Sequence, residues 1–147
     1  KIPIFHPFTS LTNSAVLELI RSTDVGLLPT WQDTYGFSVL EMQACACPVI
    51  STNVRALPEI NPDEAGWMIH FPLNKSLEIN VKSSGEKEHL RNIIIEQLKA
   101  FVVNIMNNRE LLQKKSAGAI SRIRTEHDPV LFQQRLNAIY RGEITES

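Results

Sequence analysis

Two carboxylates and a glycine lie close together in the chain, at Asp33, Gly36 and Glu41. Asp33 lies in a polar stretch, Gly36 stands where the chain is predicted to turn into a helix, and Glu41 falls inside that helix. Free backbone N–H groups at a helix start attract phosphate, by roughly 0.3–1 kcal/mol from the dipole alone. Because a carboxylate repels phosphate, the two acids are better suited to accept hydrogen bonds from hydroxyls. Hydroxyl acceptors around an anion site match a nucleotide-sugar, which contains a sugar, a diphosphate and a ribose.

The same residues also allow a purely structural interpretation. Ser38 and Glu41 have the spacing of a capping box, in which Ser38 is the N-cap and Glu41 bonds back to its N–H. Asp33 would then accept hydrogen bonds from amides of its own loop. On spacing alone, this structural interpretation is the more common of the two.

Short apolar runs predict the strands that must position these residues. Strands are predicted at residues 2–5, 25–28, 48–50 and 67–69, with helices at about 10–22 and 36–47 and a helical turn between 53 and 62. This alternation predicts an α/β fold, a Rossmann-like parallel sheet with flanking helices. Ligands bind beyond the carboxyl ends of the strands in such a sheet, which is where the second run leads into Asp33.

The second half of the chain is predicted to be helical. Apolar residues at helical spacing form one face that we expect to be buried: Leu90, Ile93, Ile94, Leu98, Phe101, Val102 and Ile105. Asp128 and Pro129 have the residue types expected at the N-cap and the first position of the last helix. The triplet 83–85, Ser-Ser-Gly, predicts a loop ahead of these helices.

Length and composition limit the class of protein. The 147 residues, 43% of them apolar, suffice for one core, so we expect a single domain over 1–147 with a helical C-terminal part at 87–141. The net charge of −1 disfavours nucleic-acid binding, and no apolar run reaches the ~18 residues that cross a bilayer. The spacing of Cys45 and Cys47 implies neither a disulfide nor a chelate, and the histidines show no ligand spacing. We therefore expect a cytoplasmic protein without a metal or other cofactor.

Four stretches of the chain keep the order and spacing of a known family: residues 24–30, 33–41, 44–52 and 57–60. They resemble the retaining glycosyltransferases of the GT-B fold, the glycosyl transferases group 1 with glycogen-synthase-like and sucrose-phosphate-synthase-like members. The resemblance runs from about 5 to 68 and returns weakly at 132–140. It implies an incomplete GT-B C-terminal domain that binds a nucleotide-diphosphate sugar as hexosyl donor. An N-terminal domain outside these residues would hold the acceptor, a glycan, a lipid-linked compound or a small molecule.

The resemblance also implies roles for individual residues. Two Glu residues separated by seven others mark the donor site of the family, and Asp33 and Glu41 take these positions. Asp33 would be the catalytic residue and bond hydroxyls of the transferred sugar, while Glu41 would bond the ribose hydroxyls. Amides around Gly36, Phe37 and Ser38 would meet the sugar and the diphosphate. The family needs no metal, and the leaving phosphate itself helps to deprotonate the acceptor.

Three further residues are weaker candidates. His6 lies next to the site where the resemblance places the nucleotide base. Trp31 could stack on a sugar or a base, although an aromatic residue in a loop more often covers a core. Glu59 matches a Pro-Glu pair of the family, where it either caps a helix or supports the donor loop.

The chain departs from the family pattern at four positions. Asp33 is one methylene shorter than the usual Glu, and Pro7 stands near a glycine that often lines the base site. Ala46 replaces a glycine, a mild change if the residue is helical. Arg55 also replaces a glycine, so we expect a backbone there that does not adopt a glycine conformation.

Two features of the family have no counterpart in these residues, namely the N-terminal domain and a cationic Gly-Arg…Lys-Gly segment ahead of the first strand. Because the departing diphosphate needs cationic help and no residue here is an obvious substitute, we expect the chain alone to be inactive. The alternative is a non-catalytic α/β module that binds nucleotide-sugars or a protein partner. A phosphate-binding regulatory domain would rest on fold analogy alone.

Two surfaces are also predicted. The usual sheet order places two missing strands between the runs at 2–5 and 25–28, which leaves open edges. We expect the chain to rearrange, to pair with a second copy or to accept a partner segment. The helix from residue 109 has a basic side that is expected to be solvated, with contact to the inner membrane surface as the alternative. This side consists of Lys114, Lys115, Arg122 and Arg124.

Overall fold

The computed structural model describes residues 7–143. The strand predicted at 2–5 and the weak candidate His6 lie outside the described residues. The strands are β1 (Gly26–Leu28), β2 (Val49–Thr52) and β3 (Gly66–Ile69). The helices are α1 (Asn13–Arg21), α2 (Phe37–Ala44), α3 (Leu57–Ile60), α4 (Ser84–Asn107), α5 (Arg109–Glu126) and α6 (Pro129–Tyr140). The predicted α/β fold, a small parallel sheet with flanking helices, is confirmed.

The three strands form one parallel sheet in the order β1-β2-β3, with Gly26 opposite Val49 and Ile50 opposite Trp67. Because the strands run in the same direction, their carboxyl ends meet at one edge of the sheet. Within residues 7–143, β1 has no strand on its other side and the strands keep their sequential order. Because the strand predicted at 2–5 lies outside the described residues, rearrangement of the sheet, pairing with a second copy and pairing with a partner segment all stay predictions.

The central strand β2 is covered on both faces, which explains its uninterrupted apolar start. Val49 and Ile50 pack in two different clusters because successive side chains of a strand point to opposite faces. Val49 lies with Val39 of α2 and Leu57 of α3, whereas Ile50 lies in the cluster that contains Leu90 of α4. The layers on both faces fix the sheet between the helices.

Side chains at the helix starts supply the hydrogen bonds that the first backbone amides lack. Thr12 caps α1, and Asp128 caps α6, the latter as the sequence predicts. Ser83 caps α4 by accepting the N–H of Glu86 at 3.2 Å, and the helix begins at Ser84. The loop predicted at 83–85 is therefore wrong, because its first serine is an N-cap and its glycine lies in the first helical turn.

The predicted buried face of α4 is correct except at one residue. Leu90 and Ile105 are buried, and most of the apolar residues between them pack against the same cluster. Val102, however, is 42% exposed. It lies one residue beyond Phe101, and the rotation of about 100° per residue carries it off the buried face.

The basic side of α5 is solvated only in part: Lys114 and Arg124 are exposed, as predicted, but the other two side chains lie against the protein. Lys115 is only 5% exposed and its Nζ lies 3.0 Å from Asp63 Oδ1. Arg122 bonds Glu126 and the backbone oxygen of Glu59. These side chains turn onto the protein because α5 packs against the segment that leads into β3. Within residues 7–143, no helix is long and apolar enough to span a membrane.

Candidate functional site

The loops that follow the three strands meet at the carboxyl edge of the sheet. They are residues 29–36 after β1, 53–56 after β2 and 70–83 after β3. Thr52 Oγ1 donates to the backbone oxygen of Thr30 at 2.6 Å. The side chain of Asn53 pairs with the backbone of Phe71, donating at 3.1 Å and accepting at 2.9 Å. These hydrogen bonds tie the three loops to one another and fix the floor of the site.

The carboxylate of Asp33 organises the first of these loops. Its Oδ1 accepts the N–H groups of Tyr35 at 3.1 Å and of Gly36 at 2.7 Å. These are the loop hydrogen bonds of the structural interpretation. Within residues 7–143, Oδ2 accepts no hydrogen bond, so the carboxylate is both held in place and able to accept one from a ligand.

The start of α2 presents backbone amides next to this carboxylate. The N-cap is Gly36, with a φ of +87°, and a Cβ there would lie 2.7 Å from Leu57 Cδ2. Only glycine fits both the left-handed backbone and the space. The N–H groups of Phe37 and Ser38 donate to no acceptor in the described part of the chain. These two amides are open to an anion.

Glu41 does not fold back onto the helix start, so the predicted capping box is wrong. Ser38 is the second helical residue rather than the N-cap, and Gly36 caps the helix without a side-chain hydrogen bond. The physical reason is that Gly36, two residues before Ser38, adopts the left-handed backbone that ends the loop, so the helix begins before Ser38 can cap it. Glu41 is exposed and, being three residues after Ser38, lies on the same face of α2.

Two adjoining clefts open at this edge. The first has a volume of about 360 Å³ and is lined by Gln32, Asp33, Thr34 and Arg55. The second has a volume of about 640 Å³ and is lined by Thr30, Trp31, Gln32, Ile79, Asn80, Val81 and Lys87. They share Gln32, and Lys87 Nζ lies 5.9 Å from the ring centroid of Trp31. The site thus combines carboxylate, amide, hydroxyl and cationic groups.

Arg55 is the residue of the first cleft that sequence reasoning missed. Its φ is +47°, so the backbone does adopt a conformation typical of glycine, contrary to the expectation. Its N–H donates to the backbone oxygen of Leu77 at 2.9 Å, and its guanidinium is paired with Glu78 through Nη2. The only signal in the sequence was an arginine where the family has glycine.

Three other predicted positions have different surroundings. Ala46 has a φ of +59° and is not helical, which corrects the assumption of a mild substitution. Trp31 is half-buried and packs against the core cluster around Ile50, as a residue that covers a core does. Glu59 is exposed on α3 and lines neither cleft.

The remaining reactive groups lie away from the clefts. Burial raises the pKa of the Cys47 thiol to about 11, so it stays protonated at neutral pH, and Cys45 is also a free thiol. Among residues 7–143, no three His, Cys, Asp or Glu side chains come together in a way that could hold a metal ion. The chemistry available at the edge is therefore that of Asp33, Glu41, Arg55 and the open amides.

Comparison with known proteins relates the first part of the chain to one family. Residues 4–80, just over half of the chain, match the family described as Glycosyl transferases group 1. A segment of 55 residues is 38% identical to D-inositol 3-phosphate glycosyltransferase of Paenarthrobacter aurescens (strain TC1). That match covers 35% of this chain and 14% of the relative, so the chain corresponds to a small part of that protein. The clefts and the open helix start lie within the matched residues except for Val81 and Lys87, and the chain belongs to the glycosyl transferases group 1 family.

Proposed function

We propose that this chain binds a nucleotide-diphosphate sugar as the donor-binding part of a retaining glycosyltransferase. The observation that carries the proposal is the arrangement around the start of α2. Asp33, with a free carboxylate oxygen, precedes the open amides of Phe37 and Ser38 along the chain, and the exposed Glu41 follows them on the same face of α2 as Ser38. This order of hydrogen-bonding groups matches the order sugar, diphosphate and ribose in such a donor.

Each group would then have one task. Asp33 Oδ2 accepts hydrogen bonds from hydroxyls of the transferred sugar, and the Phe37 and Ser38 amides donate to the diphosphate. Glu41, one turn into the helix, accepts from the ribose hydroxyls. Gly36 is required because its left-handed backbone lets the loop end directly at these amides.

In the proposed reaction, the acceptor hydroxyl attacks the anomeric carbon on the face from which the diphosphate leaves. The bond between that carbon and the phosphate oxygen breaks, and a bond to the acceptor oxygen forms. An oxygen of the leaving diphosphate takes the acceptor proton, so no separate base is required. The acceptor would be held by the N-terminal domain that the family resemblance implies, and the cations that assist the leaving group would come from the family's Gly-Arg…Lys-Gly segment ahead of the first strand.

Saturation-transfer NMR with UDP-, GDP- and ADP-sugars tests the proposal. We expect the chain to bind at least one of them, and Glu41→Ala to weaken that binding about tenfold to hundredfold, the range of a lost hydrogen bond to a charged group. Glu18→Ala, which removes an exposed carboxylate from α1, is the matched control and should bind like the wild type. Equal affinities of the wild type and Glu41→Ala would refute the proposal that Glu41 binds the ribose hydroxyls.

The surface of α6 supports a second candidate, a non-catalytic module that binds a protein partner. No residue of this helix is buried, and its exposed apolar residues are Val130, Leu131, Phe132, Leu136 and Tyr140. Apolar patches of this kind on a soluble protein are typical of interaction sites. Absence of binding to every sugar nucleotide in the NMR experiment would favour this candidate over donor binding.

A further inference from the structure

Arg55 and Asp33 line the same cleft, yet neither side chain is paired with the other. Asp33 uses Oδ1 for its own loop amides, and Arg55 uses Nη2 for Glu78. Within residues 7–143, Asp33 Oδ2 and the other N–H groups of the guanidinium form no hydrogen bond. The cleft therefore offers acceptors and donors side by side.

The charges around this cleft select the kind of ligand. Asp33 and Glu78 are negative and Arg55 is positive, so the three residues together are negative. This excess of negative charge repels an anionic group. A hydroxyl can donate to Asp33 and accept from Arg55 without electrostatic repulsion. Gln32 and Thr34, the other lining residues, add uncharged polar groups.

We infer that Arg55 determines specificity in this site by binding, together with Asp33, the hydroxyls of a neutral sugar, and that the cleft disfavours sugars with a carboxylate. The inference rests on the proposed function and names the class of sugar. A left-handed backbone is unfavourable for arginine, and such strain is found most often at functional sites. Here the residue with this backbone lines the cleft, and its N–H donates to the backbone oxygen of Leu77.

Lys114 provides the matched control for charge. It is exposed on α5 and lines neither cleft. Lys114→Gln removes the same charge as Arg55→Gly, but from outside the site. Arg55→Gly is a suitable test variant because glycine readily adopts the φ of +47°.

The test uses sugar 1-phosphates, which contain neither ribose nor base and so do not involve Glu41. The 1-phosphates of glucose, mannose and galactose are titrated by NMR, each beside the 1-phosphate of its uronic acid. We expect at least one neutral sugar to bind, about threefold or more tighter than its uronic acid. Arg55→Gly should weaken that binding about tenfold, while Lys114→Gln leaves it nearly unchanged. Glu78→Gln removes one negative charge. It should therefore reduce the ratio between the affinity for the neutral sugar and the affinity for its uronic acid.

Several results would overturn the inference. These are equal binding of a neutral sugar and its uronic acid, equal losses of affinity in Arg55→Gly and Lys114→Gln, or no binding of any sugar 1-phosphate. Thermal unfolding of each variant shows whether it is folded, so that weaker binding can be attributed to the lost side chain rather than to unfolding. Sugar-nucleotide binding that needs Glu41 but not Arg55 would refute this inference and leave the proposed function standing.

Discussion

Individual residues in this structure adopt backbone conformations that their side chains do not favour. Within residues 7–143, three residues other than glycine are left-handed: Ala46, Arg55 and Leu77. Ala46 follows α2, where its N–H bonds to Gln43 O and the N–H of Cys47 bonds to Met42 O, both at 2.9 Å. These hydrogen bonds form a Schellman motif, in which the position of Ala46 is usually glycine. The motif holds the alanine in place at the expense of local strain.

Replacing Ala46 by glycine is therefore expected to stabilise the protein. Ala46→Gly removes a left-handed alanine, whose cost is about 1–2 kcal/mol, and part of this gain is offset by the flexibility of glycine in the unfolded chain. We expect the free energy of unfolding, measured with urea, to rise by about 1 kcal/mol. Ala100→Gly, at an exposed position inside α4, should instead lower it by about 1 kcal/mol. A decrease in both variants would contradict the assigned backbone at Ala46.

At the scale of elements, the fold depends on how closely α5 approaches the turn before β3. Lys115 reaches Asp63 across this contact, and its ammonium lies 5.2 Å from the ring centroid of Trp67. A Cβ at Gly118 would lie 2.0 Å from the backbone oxygen of Glu64. The helix can lie this close only because position 118 has no side chain.

Gly118→Ala should therefore destabilise the protein even though alanine favours helices. The new methyl group meets backbone rather than a flexible side chain, so the helix must shift, at a cost of about 1–3 kcal/mol typical of overpacking. Ser121→Ala, at an exposed position of the same helix, is the control and should change the unfolding free energy by less than about 0.5 kcal/mol. Thermal or urea unfolding measures both, and a stabilised Gly118→Ala variant would refute the close contact.

At the scale of the whole molecule, β1 is an edge strand of the sheet that residues 7–143 form. No strand of residues 7–143 pairs with the side of β1 away from β2, and Leu27 within it is 51% exposed. Parallel strands are normally covered, and an unpaired edge is a template for another strand. The edge is therefore where a second copy or a partner segment would complete the sheet.

We predict that the 147-residue chain self-associates through this edge. Size-exclusion chromatography with light scattering should give a mass above that of the monomer, and Leu27→Lys should lower it, because lysine on an edge strand opposes pairing. Val103→Lys, on an exposed position of α4, should leave the mass unchanged. A wild-type chain that stays monomeric at all concentrations would contradict this prediction.

The sequence by itself was enough to predict most of the elements and the edge of the sheet at which the candidate site lies. Periodic apolar residues and N-caps such as Thr12 and Asp128 act within one or two helical turns, so they can be read without the fold. The position of Asp33 could also be predicted from a local pattern, because residues that follow a parallel strand lie at the carboxyl edge of the sheet.

Only the tertiary structure decided which side chains meet there. Glycine at 36, rather than Ser38, caps α2 because Leu57 from another element fills the space where a side chain would stand. Arg55 enters the cleft of Asp33 because the loops after β1 and β2 are neighbours, and Lys115 is buried because α5 lies against the turn before β3. Each of these contacts joins residues far apart in the chain, so no local pattern specifies it.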